Sequence, residues 1–202
     1  MIIQRINKWL SVKARPKNVQ PTLLILHATA GASAKSSIDY LRSKGNAYHY
    51  IIARDSKDSD WTYKSDDSEC VAFHCVPHEN YARHVSTTIP VPGTGGGHIN
   101  DHSIAISLAN LQSHVPKDPA PGDEEYTPQQ LLALNELLAL LKEEVPSLKF
   151  LTTHAVVQPW SRSDPLRIDG PALAEKFGYT WWEPTKTEIK NHKPKPKPKP
   201  AG

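Results

Sequence analysis

Cysteine is scarce in this chain of 202 residues: there are two, Cys70 and Cys75. Two are too few for a disulfide-stapled scaffold or a four-cysteine zinc site. They read as small buried thiols, with a bridge between them as the alternative. Long apolar runs are missing as well. The longest candidate, residues 131–141, is broken by Asn135 and Glu136, and it falls short of the roughly 18–20 residues of a membrane span. The N-terminal segment from Ile2 to Leu10 alternates apolar and polar residues. It has no continuous apolar core of the kind a secretory signal needs, so cytoplasmic accumulation is expected. There is no internal repeat. A basic body is also lacking. Residues 186–202 hold six lysines and one acid, whereas the rest carries 18 basic and 20 acidic residues, a formal −2. A nucleic-acid-binding domain usually presents a basic face, so nucleic acid is not an expected partner.

What is present suffices for one globular domain. With 38% hydrophobic and 22% charged residues a core can form, and the length allows one ordinary domain rather than two large ones; a monomer is expected. The run Leu23-Leu24-Ile25-Leu26, ending at His27, reads as a buried strand. Residues 33–44 read as a helix with Ile38 and Leu41 on one face and Gly45 as its stop. Residues 48–54 and 61–63 read as strands, and residues 90–97 as a Pro/Gly-rich loop. Residues 103–108 alternate Ile104, Ile106 and Leu108 against Ser103, Ala105 and Ser107, again a strand. Thr127-Pro128-Gln129-Gln130 is a capping box with proline at the first helical position, opening a helix to Glu144. Residues 149–153 make a last strand leading into His154. Strands interleaved with two long helices predict a single α/β domain, a central mixed β-sheet flanked by α-helices. Its expected limits are 20–185, with an N-terminal extension at 1–19 and a disordered Lys/Pro tail at 186–202. Alternating proline keeps such a tail extended. It serves either as a solubilising appendage or as a tether to an anionic envelope surface.

Ten histidines are a high count, and most read as incidental. His78, His84, His98, His102, His114 and His192 sit in polar contexts without ligand spacing and read as surface residues. His27 and His154 differ, since each follows an apolar strand. Ala28-Thr29-Ala30-Gly31 after His27 are small enough to line a cleft, and Asp164 lies ten residues beyond His154. Two imidazoles and a carboxylate form a set that suits zinc and leave a fourth position open, as a catalytic site requires. Spacing alone is weak support for that assignment.

Several blocks in order carry more weight: Leu24-Ile25-Leu26-His27-Ala28-Thr29-Ala30-Gly31, Ala47-Tyr48-His49-Tyr50-Ile51-Ile52-Ala53-Arg54-Asp55, Ala72-Phe73-His74, Ser103-Ile104-Ala105-Ile106-Ser107-Leu108-Ala109-Asn110, Thr153-His154 and Ser163-Asp164-Pro165. Over roughly residues 20–175 this resembles the zinc-dependent N-acetylmuramoyl-L-alanine amidases, which include phage endolysins and peptidoglycan recognition proteins. The resemblance implies one catalytic Zn2+ at the strand ends, held by His27, His154 and Asp164. It implies Tyr48 and Arg162 as catalytic groups, His74 and Thr29 at the substrate cleft, and peptidoglycan as partner. A tyrosine there would orient water or pass a proton to the leaving amine. A guanidinium stabilises an oxyanion rather than acting as an acid. One departure stands out: some bacterial members carry a Glu as general base where this chain has Ser107. The implied setting is a phage endolysin acting in host lysis. Two other classes stay open, a peptidoglycan-binding module that does not cut and a cytosolic muropeptide-recycling amidase. His49 falls on the strand face opposite Tyr48 and is expected to be structural.

Overall fold

A computed structural model describes residues 1–31, 33–54, 70–112 and 124–193. The expected strand at 61–63, His114 and the end of the tail lie outside them. Seven strands form one mixed sheet: β1 (Ile2–Arg5), β2 (Leu23–Ala28), β3 (Tyr50–Ile52), β4 (Val71–His74), β5 (Ser103–Leu108), β6 (Phe150–Thr153) and β7 (Thr180–Trp181). Their order across the sheet is β1-β4-β3-β5-β2-β6-β7, and every pairing is parallel except β3 with β4. The helices are α1 (Ala34–Lys44), α2 (Pro128–Glu144), α3 (His154–Val157), α4 (Gly170–Lys176) and α5 (Lys186–His192), with a 3-10 turn at Ile99–His102. The α/β architecture expected from the sequence is the one found.

Strand β2 explains the layering. All six of its residues are buried, as a strand covered on both faces demands, and it is correspondingly a near-continuous apolar run. Leu24 and Leu26 point to a core shared with Leu134, Leu137, Leu138 and Leu141 of α2 and Ala174 of α4. Leu23 and Ile25 face the other way, against Val85, Ile89, Val91, Ile99 and Val157. On that same side α1 lays Ala34, Ile38 and Leu41 over Ile51, Val71 and Phe73. Burying each such aliphatic side chain contributes about 1.5–3 kcal/mol.

The helix ends follow their capping residues. Ser33 caps α1 by accepting from Ser36 N–H, and Gly45 closes it at φ 66°, the left-handed conformation glycine adopts without strain. Thr127 and Gln130 form the capping box of α2. Two boundaries differ from expectation. Segment 1–19, set apart as an extension, supplies β1, which pairs in parallel with β4 from Ile2↔Val71 to Arg5↔His74. Segment 186–202, expected to be extended throughout, begins with α5. Thr185 and Glu188 form a second capping box, and proline does not intervene before position 194. Ile189 packs on the core with Trp182, and Thr88 Oγ1 lies 2.8 Å from His192 Nδ1.

Candidate metal centre and active site

Parallel β5, β2 and β6 end side by side, and a cleft opens above their carboxyl ends, the usual place for a site in such sheets. His27 is the fifth residue of β2 and points to the α1 side. His154 is the first residue after β6, where the chain turns into α3. Asp164 is drawn in from the following loop: its carbonyl accepts from Ala155 N–H at 2.8 Å, and its Oδ2 accepts from Ala28 N–H at 3.3 Å. Three side-chain atoms converge. His27 Nδ1 lies 3.0 Å from His154 Nδ1, His154 Nδ1 lies 3.1 Å from Asp164 Oδ2, and His27 Nδ1 lies 3.5 Å from the same oxygen. All three residues are buried.

The electrostatics match the donor set. Burial, with His154 adjacent, lowers the His27 imidazole to about 4 against the pull of Asp164; the ring is neutral at pH 7, as a metal ligand must be. Burial alone would raise the Asp164 carboxyl, but the His154 and His27 rings outweigh it and hold it well below the usual carboxylate range. The triangle also has the right size. Four ligands about 2.0–2.1 Å from a zinc ion at tetrahedral angles stand about 3.3 Å apart, within the range of the three separations found. Asp164 Oδ1 is buried without a hydrogen-bond partner among the described residues. These residues fit a metal ion of the zinc type.

The cleft has a volume of about 690 Å³ and is lined by Thr29, Tyr40, Tyr48, His84, His154 and Arg162, among others. Among the described residues Asp164 is the only carboxylate in its lining. A family model for N-acetylmuramoyl-L-alanine amidase matches residues 17–167. The chain belongs to the N-acetylmuramoyl-L-alanine amidase family. Comparison with curated protein sequences gives no match. Among solved structures it is similar to AmiD from E. coli in complex with anhydro-N-acetylmuramic acid-L-Ala-D-γ-Glu-L-Lys. The TM-score is 0.60 at 21% identity, covering 86% of this chain and 63% of that one. It is similar also to AmpDh3 from Pseudomonas aeruginosa in complex with anhydromuramic pentapeptide. Here the TM-score is 0.59 at 24% identity, covering 87% of this chain and 66% of that one. The chain thus spans just under two thirds of the length of each. An AmpD structure matches with TM-score 0.58 at 18% identity, over 87% of this chain and 93% of that one. At these identities the likeness is one of fold.

Four of the residues singled out in this amidase-family sequence besides the His/His/Asp set have distinct fates. The Tyr48 ring packs 4.9 Å from that of His27, and burial followed by the Asp164 charge raises its phenol, so it keeps its proton. Arg162 lines the cleft, and its Nη1 donates to the Ser161 carbonyl at 3.0 Å. Thr29 lines the cleft too, but its hydroxyl accepts from Gly31 N–H at 3.1 Å and Asn110 N–H at 3.3 Å, so it is committed to shaping the turn. His74 is not at the cleft. In register, His27 pairs with Ser107, Ser107 with Ile51 and Ile51 with Phe73, so these four share one face; His74 pairs with Tyr50 on the other. There it stacks on the Tyr50 ring at 4.6 Å, and its Nε2 lies 2.9 Å from the Val76 carbonyl. Its place is in the packing beneath the sheet.

Ser107, fully buried, stands beside His27 in the register where a Glu would be sought. His49 accepts from Ala105 N–H at Nδ1 and packs in the interior. Both cysteines are buried as thiols; burial pushes the Cys75 thiol up, which suits an inert structural role. The residue sequence reasoning passed over is His84. It is partly buried, its Nδ1 lies 2.9 Å from His27 Nε2, and its Nε2 lies 2.9 Å from Ser103 Oγ. Its own segment has no periodicity to mark it.

Proposed function

We propose that the protein is a zinc-dependent N-acetylmuramoyl-L-alanine amidase that hydrolyses the amide between the lactyl group of N-acetylmuramic acid and L-alanine of the stem peptide. The observation that carries this is the convergence of His27 Nδ1, His154 Nδ1 and Asp164 Oδ2 at the floor of a cleft. A zinc ion held by this set supplies a Lewis acid and lowers the pKa of water toward about 7. The chain's own groups do the rest. Tyr48, protonated beside His27, presents a hydroxyl that orients the attacking water or hands a proton to the departing α-amine. Arg162, in the cleft lining, offers guanidinium N–H groups to the carbonyl oxygen as it gains charge. With Asp164 committed to the metal set, no other described carboxylate lines the cleft to take the base role. His27→Ala, His154→Ala and Asp164→Ala should each lose bound zinc and hydrolysis together. Full hydrolysis by any of them would remove the metal from the mechanism.

Within that activity we propose polymeric peptidoglycan as the substrate and lysis of a bacterial host by a phage as the setting. Tyr48 and Arg162 in the cleft lining and the serine at position 107, where some bacterial members carry a Glu, support this reading. Rates on purified sacculi and on soluble anhydromuropeptides decide it. Faster release of stem peptides from sacculi supports the lytic role, and a strong preference for the soluble fragments assigns the protein to recycling.

A further inference from the structure

We propose that His84 is a positioning residue that fixes His27 in the one tautomer able to bind metal. The inference rests on the zinc reading above and adds to it a residue outside the ligand set.

Donor and acceptor roles can be assigned by following protons inward from the backbone. Ser103 Oγ donates to the Ile99 carbonyl at 2.8 Å. A hydroxyl has one proton; with that proton committed, Ser103 Oγ can only accept from His84 Nε2, 2.9 Å away. His84 Nε2 therefore carries the hydrogen, and in a neutral imidazole Nδ1 is then a bare acceptor. The atom facing that acceptor at 2.9 Å is His27 Nε2, which must be N–H. His27 Nδ1 is left with its lone pair, and this is the nitrogen 3.0 Å from His154 Nδ1 and 3.5 Å from Asp164 Oδ2. The Ile99 carbonyl, Ser103, His84 and His27 form one directed relay that ends at the metal set. The two rings meet edge to face, with centroids 5.0 Å apart and an interplanar angle of 86°. His84 is not itself a ligand, because its Nδ1 faces the far side of the His27 ring and it stands outside the converging group.

The segment carrying His84 has no helix or strand, yet it is clamped. The Arg83 carbonyl accepts from Ala47 N–H at 3.1 Å. Asn100 Oδ1 accepts from His84 N–H at 3.3 Å and Val85 N–H at 3.1 Å, while Asn100 Nδ2 donates to the Val85 carbonyl at 2.9 Å. Gln158 Oε1 accepts from Ser86 N–H at 3.0 Å. Four consecutive residues are thereby tied to three separate parts of the fold. Groups that orient a metal-binding histidine through its second nitrogen typically change metal affinity about 10- to 100-fold when removed.

The test uses the zinc-loaded full chain. Long-range proton–nitrogen NMR of the wild-type imidazoles should find the hydrogen on Nε2 of both His27 and His84. A hydrogen on His84 Nδ1 would overturn the proposal without any variant. Zinc affinity is then measured by competition with a chromophoric chelator, with the melting temperature of each stripped protein as a control for folding. His84→Ala should bind zinc about 10- to 100-fold more weakly. His84→Asn, whose Oδ1 can stand near the lost Nδ1 and accept from His27, should recover most of that loss. Ser103→Ala, which leaves the His84 ring in place but frees its orientation, should fall between. Wild-type affinity in His84→Ala, or equal loss in the Ala and Asn variants, contradicts the relay. If wild-type protein binds no zinc, the metal reading itself fails, and that outcome is distinct from failure of the relay.

Discussion

At the scale of single residues, the proposed chemistry turns on Tyr48 and the histidines around it. Tyr48 differs from phenylalanine by one hydroxyl, and its ring packs against His27 whether or not that oxygen is present. Tyr48→Phe should therefore keep zinc and the melting temperature while turnover drops about 10²-fold or more, the scale of a positioned proton donor or acceptor. Near-normal turnover would reduce Tyr48 to packing. The histidines also predict how stability responds to acid. Burial first, with neighbouring charges, lowers His27 and His78 to about 4 and holds His49 and His84 well below the ordinary 6.5. The unfolded chain thus binds more protons than the folded one between about pH 6.5 and pH 4, and in that window stability rises with pH. Asp164, depressed in the fold, adds a further loss only below about pH 4. The melting temperature of chelator-stripped protein should be flat above pH 7 and fall steadily from pH 6.5 to 4.5, with uptake of more than one proton on unfolding. A flat profile across that range would mean that the rings titrate normally in the fold.

At the scale of elements, what could be read from the sequence was local. The strand at Leu23–Ala28, the helix opened by Ser33 and the helix opened by Thr127 each carry their signal within a few residues: an apolar run, a cap, a capping box. Strands β1, β4 and β7 span four, four and two residues and exist because of partners far along the chain, so no window of sequence marks them. Helix α5 is the exception. Thr185 and Glu188 spell the same capping signature as Thr127 and Gln130, but the Lys/Pro composition that follows obscured it. The site divides in the same way. His27, His154 and Asp164 lie beside strand ends and in a recognisable motif. His74 was misplaced because the face it occupies depends on register carried across four strands, and His84 was missed because Asn100 and Ser103 place it rather than its own neighbours. One element-scale prediction follows from Gly170 at the start of α4. A Cβ there would come within 2.3 Å of the Trp181 ring. Gly170→Ala should separate α4 from β7 and cost about 1–3 kcal/mol of stability, measured by urea unfolding, with zinc affinity unchanged. Unaltered stability would mean the Trp181 ring shifts freely.

At the scale of the whole molecule, the sheet buries apolar side chains on both faces and leaves a cleft over the ends of β5, β2 and β6. Charge is divided: residues 1–193 are formally neutral, with 21 basic and 21 acidic residues, while residues 194–202 hold three lysines and no acid. Because α5 belongs to the fold, a truncation that tests this segment must start after Lys193. Removing residues 194–202 should leave the melting temperature and turnover of soluble muropeptides unchanged. It should slow lysis of permeabilised cells at low ionic strength and have little effect at high salt, where attraction to an anionic envelope is screened within a few ångströms. Equal lysis at low salt would make the segment a solubilising appendage.

On the proposed function, one zinc-loaded cleft cuts one kind of bond. Purified peptidoglycan digested with zinc-loaded protein, with chelator-stripped protein and with stripped protein resupplied with zinc tests it most directly, the products being identified by mass spectrometry. The expected products are free stem peptides with a new α-amine on L-alanine and glycan strands without new reducing ends, with no release after stripping and recovery on adding zinc. New reducing sugar termini, or undiminished release by stripped protein, would contradict it.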